Sequence, residues 1–159
     1  MLEFVDGKNG RYTIHAFLRP GRVADVYVAS TTDGTLVWMK IVHDGYFTEN
    51  QANARFEREA KLLSEADDPA MLRMLEWGRT ATAAWVALER VEGPSLKEAL
   101  LPGPLHIDDV RNLALGLAEA LGAAHRRRMI LRDVVPENVL LINGSPRHVK
   151  LLDLGFTRL

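Results

Sequence analysis

The hydrophobic periodicity of the first 92 residues constrains the fold more than any other feature. Three short runs rich in β-branched and aromatic residues come first, at residues 12–17, 23–29 and 36–42. Pro20-Gly21 and Thr32-Asp33-Gly34 separate them, and both are typical turn sequences. After a Thr48-x-x-Gln51 capping box, apolar residues recur at steps of four and three, which predicts a helix. Runs 71–77 and 84–91 again favour strands, so we expect an α+β fold with a five-stranded antiparallel sheet and one main helix.

The second part of the chain has a different pattern. Glu92-Gly93-Pro94-Ser95 breaks the sequence, and we expect a domain boundary there, with residues 1–92 before it and 93–159 after it. A helix is predicted over residues 107–127, and two short apolar runs around Asn143-Gly144, residues 139–142 and 149–152, predict a hairpin. The apolar stripe expected on the helix consists of Ile107, Val110, Ala114, Leu117, Leu121 and Ala124.

Composition excludes several classes of function. The 159 residues are 47% hydrophobic, enough for one sizeable core, and carry 20 Lys and Arg against 21 Asp and Glu. That balance gives no basic field for nucleic acid, so we expect no nucleic-acid partner. The chain has no cysteine, which rules out disulfides and thiolate metal sites. It has neither a secretion signal at its start nor an 18-residue apolar run, so we expect a cytoplasmic protein without a membrane segment.

Three polar clusters stand in a particular order along the chain. The first is the turn sequence 18–27, which includes Gly21, followed on the next strand by Lys40. The second is Arg55-Phe56-Glu57-Arg58-Glu59-Ala60 on the predicted helix. The third is the run 131–138, which contains Asp133 and Pro136-Glu137-Asn138, with Asp153-Leu154-Gly155 twenty residues beyond Asp133. A single Lys or Glu in such a pattern is more often a solvated surface charge, but the order of all three clusters is specific.

This order resembles the protein kinase family, and the motifs are most similar to those of bacterial Ser/Thr kinases. The resemblance covers nearly the whole chain and implies a kinase-like fold, with a sheet lobe followed by the start of a mostly helical lobe. It implies that Lys40 pairs with Glu59 and holds ATP phosphates, and that Asp133 accepts the proton of the substrate hydroxyl. It also implies that Asn138 and Asp153 hold Mg²⁺, a role suited to their oxygen donors.

The same resemblance implies a nucleotide site and its partners. The cofactors would be ATP and Mg²⁺, and the partner would be a protein substrate or a regulatory protein. The residues that would contact the nucleotide are Gly21, Ala24, Val26, Trp38, Lys40, Glu89, Val91 and Leu140.

The sequence departs from the family pattern at positions that matter for activity. Arg19 stands where the phosphate loop has its first glycine, and Val135 replaces a lysine two residues after the catalytic Asp. Leu131 and Leu154 replace the family's His and Phe, which are mild changes in an apolar column. Trp38 replaces the Ala that lies against adenine. Positions two apart on a strand share a face, so Trp38 is expected either to stack on adenine or to occupy its place.

These observations lead to one expected function and two alternatives. The leading interpretation is an ATP-dependent protein Ser/Thr kinase module, incomplete in this chain because the family has an activation segment and further helices after the position of Leu159. We therefore expect apolar parts of helix 107–127 and of the catalytic loop to face water. The first alternative is a pseudokinase that acts as a regulatory or protein-binding module with weak or no nucleotide turnover. The second is a small-molecule kinase of the aminoglycoside or choline type, against which the Phe-x-Arg-Glu-Ala helix and Asp153-Leu154-Gly155 argue.

Overall fold

The structure is a computed structural model, and it divides into two compact units. It describes residues 3–21, 24–43, 56–58, 60–61, 63–65, 68–80, 83–131 and 134–152. One unit holds the described residues up to 65 together with 73–90, and the other holds residues 68–72 and 91–152. The domain boundary that the sequence places after residue 92 stays a prediction. No helix in the described part of the chain is both long and apolar enough to cross a bilayer.

The first unit is built on one antiparallel sheet. Its strand order is β1-β2-β3-β4-β6-β5, and every neighbouring pair is antiparallel. The bounds are β1 Phe4–Gly7, β2 Gly10–Arg19, β3 Ala24–Ser30, β4 Leu36–Val42, β5 Met74–Arg79 and β6 Ala84–Glu89. The predicted α+β kinase-like architecture is confirmed, with six strands rather than five.

Strand β1 is the element that the sequence pattern missed. It pairs with β2 through a tight turn in which Gly7 lies opposite Gly10, and Gly10 has a φ of 128°, a value that side chains disfavour. Only Val5 of this strand is buried, so the four residues carry too little alternation to be recognised from the sequence.

The two faces of the sheet have different contents. The opposite face, as we call the side away from Lys40, carries a core of Val5, Tyr12, Ala29, Val37, Met39, Trp85 and Ala87. The lysine face carries Lys40 and Trp38 together with their cross-strand neighbours Val26, Val28, Val86 and Leu88. Cross-strand partners point to the same side of an antiparallel pair, so the register alone assigns these residues to one face.

A helical segment belongs to the first unit and lies over the lysine face. Its described residues are 56–58, 60–61 and 63–64, and Phe56, Ala60 and Leu63 are buried. The Phe56 ring meets the edge of Trp77, with centroids 6.0 Å apart and an interplanar angle of 78°. Trp77 pairs with Val86, which pairs with Lys40, so this aromatic contact places the segment on the side of Lys40. The part of the predicted helix from Thr48 to Arg55 lies outside the described residues.

The second unit combines two helices with a hairpin. The short helix Leu96–Ala99 begins at Ser95, where a capping box with Glu98 satisfies the first amides. The long helix is Ile107–Arg126, and the predicted hairpin is confirmed as β7 Val139–Leu141 and β8 Val149–Leu151. Short 3-10 helices, Pro136–Asn138 and Ile142–Gly144, precede and follow β7. The core comprises Leu96, Leu113, Ala120, Val139, Leu141, Val149 and Leu151.

The buried face of the long helix differs from the predicted stripe. The buried residues are Leu113, Gly116, Ala120, Ala123 and Ala124, whereas Ile107 is 72% exposed and Val110 and Ala114 are also exposed. The first three positions of the predicted stripe are thus exposed, whereas Leu117, Leu121 and Ala124 lie against or within the core. Close approach shapes the buried face at Gly116, where a Cβ would lie 2.6 Å from the carbonyl oxygen of Arg147.

Apolar side chains of the second unit do face water, as expected. This confirms the prediction for the long helix and for the described part of the catalytic loop. The exposed residues include Ile107, Val110, Leu115, Ile130, Val134 and Val135.

Candidate functional site

Lys40 lies in the middle of the sheet and is almost entirely buried. It is 7% exposed, and its neighbours across the sheet are Val26 on β3 and Val86 on β6. A lysine ammonium in such surroundings is costly unless an anion or hydrogen-bond acceptors meet it. Glu59, the partner that the sequence predicts, lies outside the described residues.

Trp38 is buried on the same face as Lys40. It is 7% exposed and lies across from Val28 on β3 and Leu88 on β6. The prediction that Trp38 and Lys40 share a face is confirmed by the register. Val26, which the family resemblance assigns to the nucleotide, is also buried.

The turn between β2 and β3 is the predicted phosphate loop. Pro20 and Gly21 are the described residues between the two strands. Gly21 is needed for its size, because a Cβ there would lie 2.2 Å from the carbonyl oxygen of Ala24. The Gly21 amide donates to the Asp25 carboxylate at 3.3 Å, and an oxygen of that carboxylate lies 2.9 Å from Nε2 of His43. Asp25 was not predicted as a site residue, because its hydrogen bond to the amide four residues earlier has no local sequence signal.

Glu89 is the last residue of strand β6. Val91 is the residue at which the chain enters the second unit. The Glu89 carboxylate accepts from the backbone amide of Arg73 at 2.8 Å, and the Glu89 amide donates to the Arg73 carbonyl at 2.9 Å. Val91 is half-buried. The Glu89 side chain thus ties β6 to the residue before β5.

The segment after Val91 is fixed against the hairpin of the second unit. The Leu141 amide donates to the Pro94 carbonyl at 2.9 Å, and the Asn143 amide donates to the Glu92 carbonyl at 2.8 Å. Gly93 lies between them with a φ of 131°, and a Cβ there would lie 1.9 Å from the Leu141 carbonyl oxygen. The break that the sequence predicts at 92–95 is therefore an ordered strand-like addition to the hairpin.

Asn138 and Leu140 are, with Val91, the predicted site residues that the structure describes in the second unit. Asn138 is 8% exposed at the end of a 3-10 helix. Its backbone carbonyl oxygen accepts from the backbone amide of Leu152 at 2.8 Å. Leu140 is buried on β7 opposite Lys150 and bridges to Ser95. Asp133 and Asp153 lie outside the described residues, but Leu152 is the residue directly before Asp153. The oxygen donors of an Asn and an Asp suit Mg²⁺, so the residue types fit that ion.

An ion cluster supports the end of the long helix within the second unit. The Asp68 carboxylate accepts from the Ala70 amide at 3.0 Å, from Arg127 at 3.1 Å and from Arg126 at 3.2 Å. The Ala70 amide and then the two guanidinium groups hold the pKa of Asp68 below its usual range, against the opposing effect of burial. Residues 68–72 are thereby anchored to the helix end that leads into the predicted catalytic loop.

Comparison with known proteins identifies the family. The model of the protein kinase domain matches residues 12–159, which is nearly the whole chain. The chain belongs to the protein kinase family. The match begins at Tyr12 on β2, so β1 lies outside it.

The relatives that match the kinase chain are bacterial. It is 35% identical over 153 residues to the serine/threonine-protein kinase pkn2 of Myxococcus xanthus, covering 95% of this chain and 18% of that protein. It is 32% identical over 151 residues to the serine/threonine-protein kinase PrkC of Bacillus subtilis, covering 92% of this chain and 23% of that protein. The kinase chain thus spans about a fifth of the length of these relatives.

Solved structures show the same fold. The PknI kinase domain of Mycobacterium tuberculosis is similar with a TM-score of 0.79 and 24% identity, over 99% of this chain and 64% of that chain. Rad53 in complex with AMP-PNP is similar with a TM-score of 0.80 and 22% identity, over 92% of this chain and 38% of that chain. At these identities the likeness establishes the kinase fold of the chain.

Proposed function

We propose that this chain is a module of an ATP- and Mg²⁺-dependent protein Ser/Thr kinase. The observation that carries the proposal is the burial of Lys40 on a sheet face that Phe56 and Ala60 of the helical segment also cover. A buried ammonium requires an anionic partner, and Glu59 lies in sequence between Phe56 and Ala60. A lysine neutralised in this way is held extended, in position to meet phosphate oxygens.

Each residue has a distinct role in the proposed reaction. Lys40, oriented by Glu59, binds and positions the phosphates, and Asp133 accepts the proton of the Ser or Thr hydroxyl. Asn138 and Asp153 hold the magnesium, and the backbone amide of Leu152, the residue before Asp153 in sequence, donates to the backbone carbonyl of Asn138. Magnesium-bound ATP supplies the phosphoryl group and the neutralisation of its charge. Val135, where the family has a lysine, removes one contact to that charge, so transfer would be slow.

The pseudokinase alternative is favoured by a specific observation. Trp38 is buried on the lysine face, where the family has a small residue, and Val135 lacks the charge of the residue that it replaces. A regulatory or protein-binding module would keep the fold and lose turnover. The cytoplasmic location and a protein partner remain part of the proposal.

Thermal unfolding with and without nucleotide tests the proposal. Mg²⁺ with ATP at about 100 times its Kd should raise the free energy of unfolding by ~2.7 kcal/mol, whereas Mg²⁺ alone should not. Asp153→Ala is the matched variant, because it removes a proposed metal ligand and should abolish the Mg²⁺ dependence. Transfer of the γ-phosphoryl group to a Ser/Thr peptide separates the kinase from the pseudokinase. A flat response to Mg-ATP in the wild-type chain would favour the pseudokinase, and a flat response in both the wild-type chain and a Trp38→Ala variant would rule out the ATP-dependent kinase.

A further inference from the structure

The lysine face shows what lies where a nucleobase would have to bind. In the proposed complex, a base joined through its ribose to phosphates held by Lys40 can reach the part of the lysine face next to Lys40. Among the described residues that surface is formed by Val26, Val28, Leu88 and Trp38. Base recognition needs an accessible apolar surface of this kind.

The burial of these side chains decides between two roles for Trp38. An aromatic ring that stacks on a base must offer it an open face. Trp38 is 7% exposed and Val26 and Leu88 are each 1% exposed, whereas Val28 is half-buried, so the indole does not present such a face. The indole fills the surface and does not serve as a stacking platform for a ligand.

The position of Trp38 along β4 affects Lys40 differently from the nucleobase surface. Trp38 and Lys40 are two residues apart on β4, which separates their Cα atoms by ~7 Å. The indole therefore occupies the surface beside the ammonium and does not take the place of the ammonium. Lys40 is also 7% exposed, but its ammonium attracts phosphates, whereas a base has to displace a large apolar ring.

We propose that the Trp38 indole occupies the nucleobase surface of this chain, so that the site recognises the magnesium polyphosphate part of a nucleotide and gains nothing from the base. This inference rests on the proposed nucleotide-binding function and makes Trp38 the residue that determines base specificity. The ligand class is a magnesium-bound polyphosphate, with ATP, GTP and inorganic tripolyphosphate as equivalent members.

Calorimetric titration of the 159-residue chain with three ligands tests the inference without any substitution. Mg-ATP, Mg-GTP and Mg-tripolyphosphate should bind the wild-type chain with affinities within about threefold of one another. Trp38→Ala should then raise the affinity for Mg-ATP by about tenfold or more and leave that for Mg-tripolyphosphate unchanged. Trp38→Phe, which leaves a smaller cavity, should show an intermediate gain and covers the case in which Trp38→Ala does not fold.

Two controls isolate the cause. Trp85→Phe changes a buried tryptophan on the opposite face and should alter none of the three affinities. Lys40→Met should abolish binding of all three ligands, since each depends on the phosphates.

The outcomes separate this inference from the function on which it rests. A wild-type chain that prefers Mg-ATP about tenfold over Mg-tripolyphosphate, and loses that preference in Trp38→Ala, would overturn the inference and leave the proposed function standing. A wild-type chain that binds none of the three ligands, with Mg-ATP binding gained in Trp38→Ala, would overturn the inferred recognition of polyphosphate and would favour the pseudokinase. Absence of binding by the wild type and both Trp38 variants would overturn the proposed function and the inference with it.

Discussion

Lys40 and Glu76 are both buried charged residues of the same sheet, and they differ in what satisfies them. Glu76 is 8% exposed; its carboxylate accepts from the Tyr12 hydroxyl at 2.9 Å and from the backbone amide of Lys8. Both donors come from the β1–β2 hairpin, so Glu76 is satisfied within the sheet. The proposed partners of Lys40 are Glu59, from the helical segment, and a phosphate.

This contrast separates a buried charge that stabilises the fold from a buried charge that serves ligand binding. Glu76 fastens the β1–β2 turn to β5, and a Cβ on Gly7 would lie only 2.7 Å from its carboxylate, so the fit is specific to this sheet. A charge whose partners all come from neighbouring strands contributes to stability, and removing it leaves donors unsatisfied. A charge that depends on a ligand for full compensation contributes to binding instead.

The largest expected effect on stability is that of Glu76→Ala. It leaves the Tyr12 hydroxyl and the Lys8 amide without their acceptor, and we expect the free energy of unfolding to fall by about 3 kcal/mol. Urea denaturation measures this change. Glu57→Ala, which removes an exposed carboxylate 3.8 Å from Arg79, is the matched control and should change stability little. Equal effects of the two substitutions would remove the structural role assigned to Glu76.

Two glycines of the long helix distinguish a closely packed position from an open one in the second unit. Ala in place of a helical Gly normally adds about 0.5–1 kcal/mol of stability. Gly122→Ala should show that gain, because the nearest atom to its new Cβ is the flexible end of Arg126 at 3.4 Å. Gly116→Ala should instead cost about 2 kcal/mol, because its Cβ would meet the Arg147 backbone. Changes of the same sign in thermal unfolding would contradict the close approach described for this helix.

A smaller loss of stability than for Glu76→Ala or Gly116→Ala is expected for Tyr12→Phe. It should cost about 1 kcal/mol at neutral pH, because one hydrogen bond to Glu76 is lost.

The pH dependence gives Tyr12 a separate signature. Burial, followed by the hydrogen bond and charge of Glu76, raises the pKa of Tyr12. A pKa raised on folding favours the protonated form, so this contribution is complete below about pH 10 and is lost as the pH rises further. Urea denaturation between pH 8 and 11 should therefore show a steeper alkaline loss of stability in the wild type than in Tyr12→Phe. Tyr27→Phe is a comparison at a second tyrosine whose pKa is raised by burial and by Asp25.

The sequence predicted the lysine face because that prediction needed only the period of a strand. Lys40 and Trp38 are two residues apart on a strand that was recognised, so their shared face followed directly. Strand β1 was missed because its four residues carry too little alternation. The role of Glu76 was missed because its contact with the Lys8 amide joins residues 68 positions apart, and no local pattern records such a pairing.

The long helix shows a different limit of sequence reasoning. The existence and bounds of this helix were predicted well. Its buried face includes the small residues Gly116 and Ala120, and hydrophobicity alone did not predict it. Ile107 and Val110 are more apolar and are nevertheless exposed. The roles of Glu59, Asp133 and Asp153 stay predictions, because these residues lie outside the described part of the chain.

The most direct test of the account is the effect of Lys40→Met on Mg-ATP binding and on stability, measured on the same preparation. Methionine replaces the buried ammonium by an apolar chain of similar length. We predict that Mg-ATP affinity falls by about tenfold or more, while the free energy of unfolding changes less than in Glu76→Ala. Unchanged Mg-ATP affinity together with a stability loss as large as that of Glu76→Ala would show that Lys40 is a structural charge, and would contradict the account.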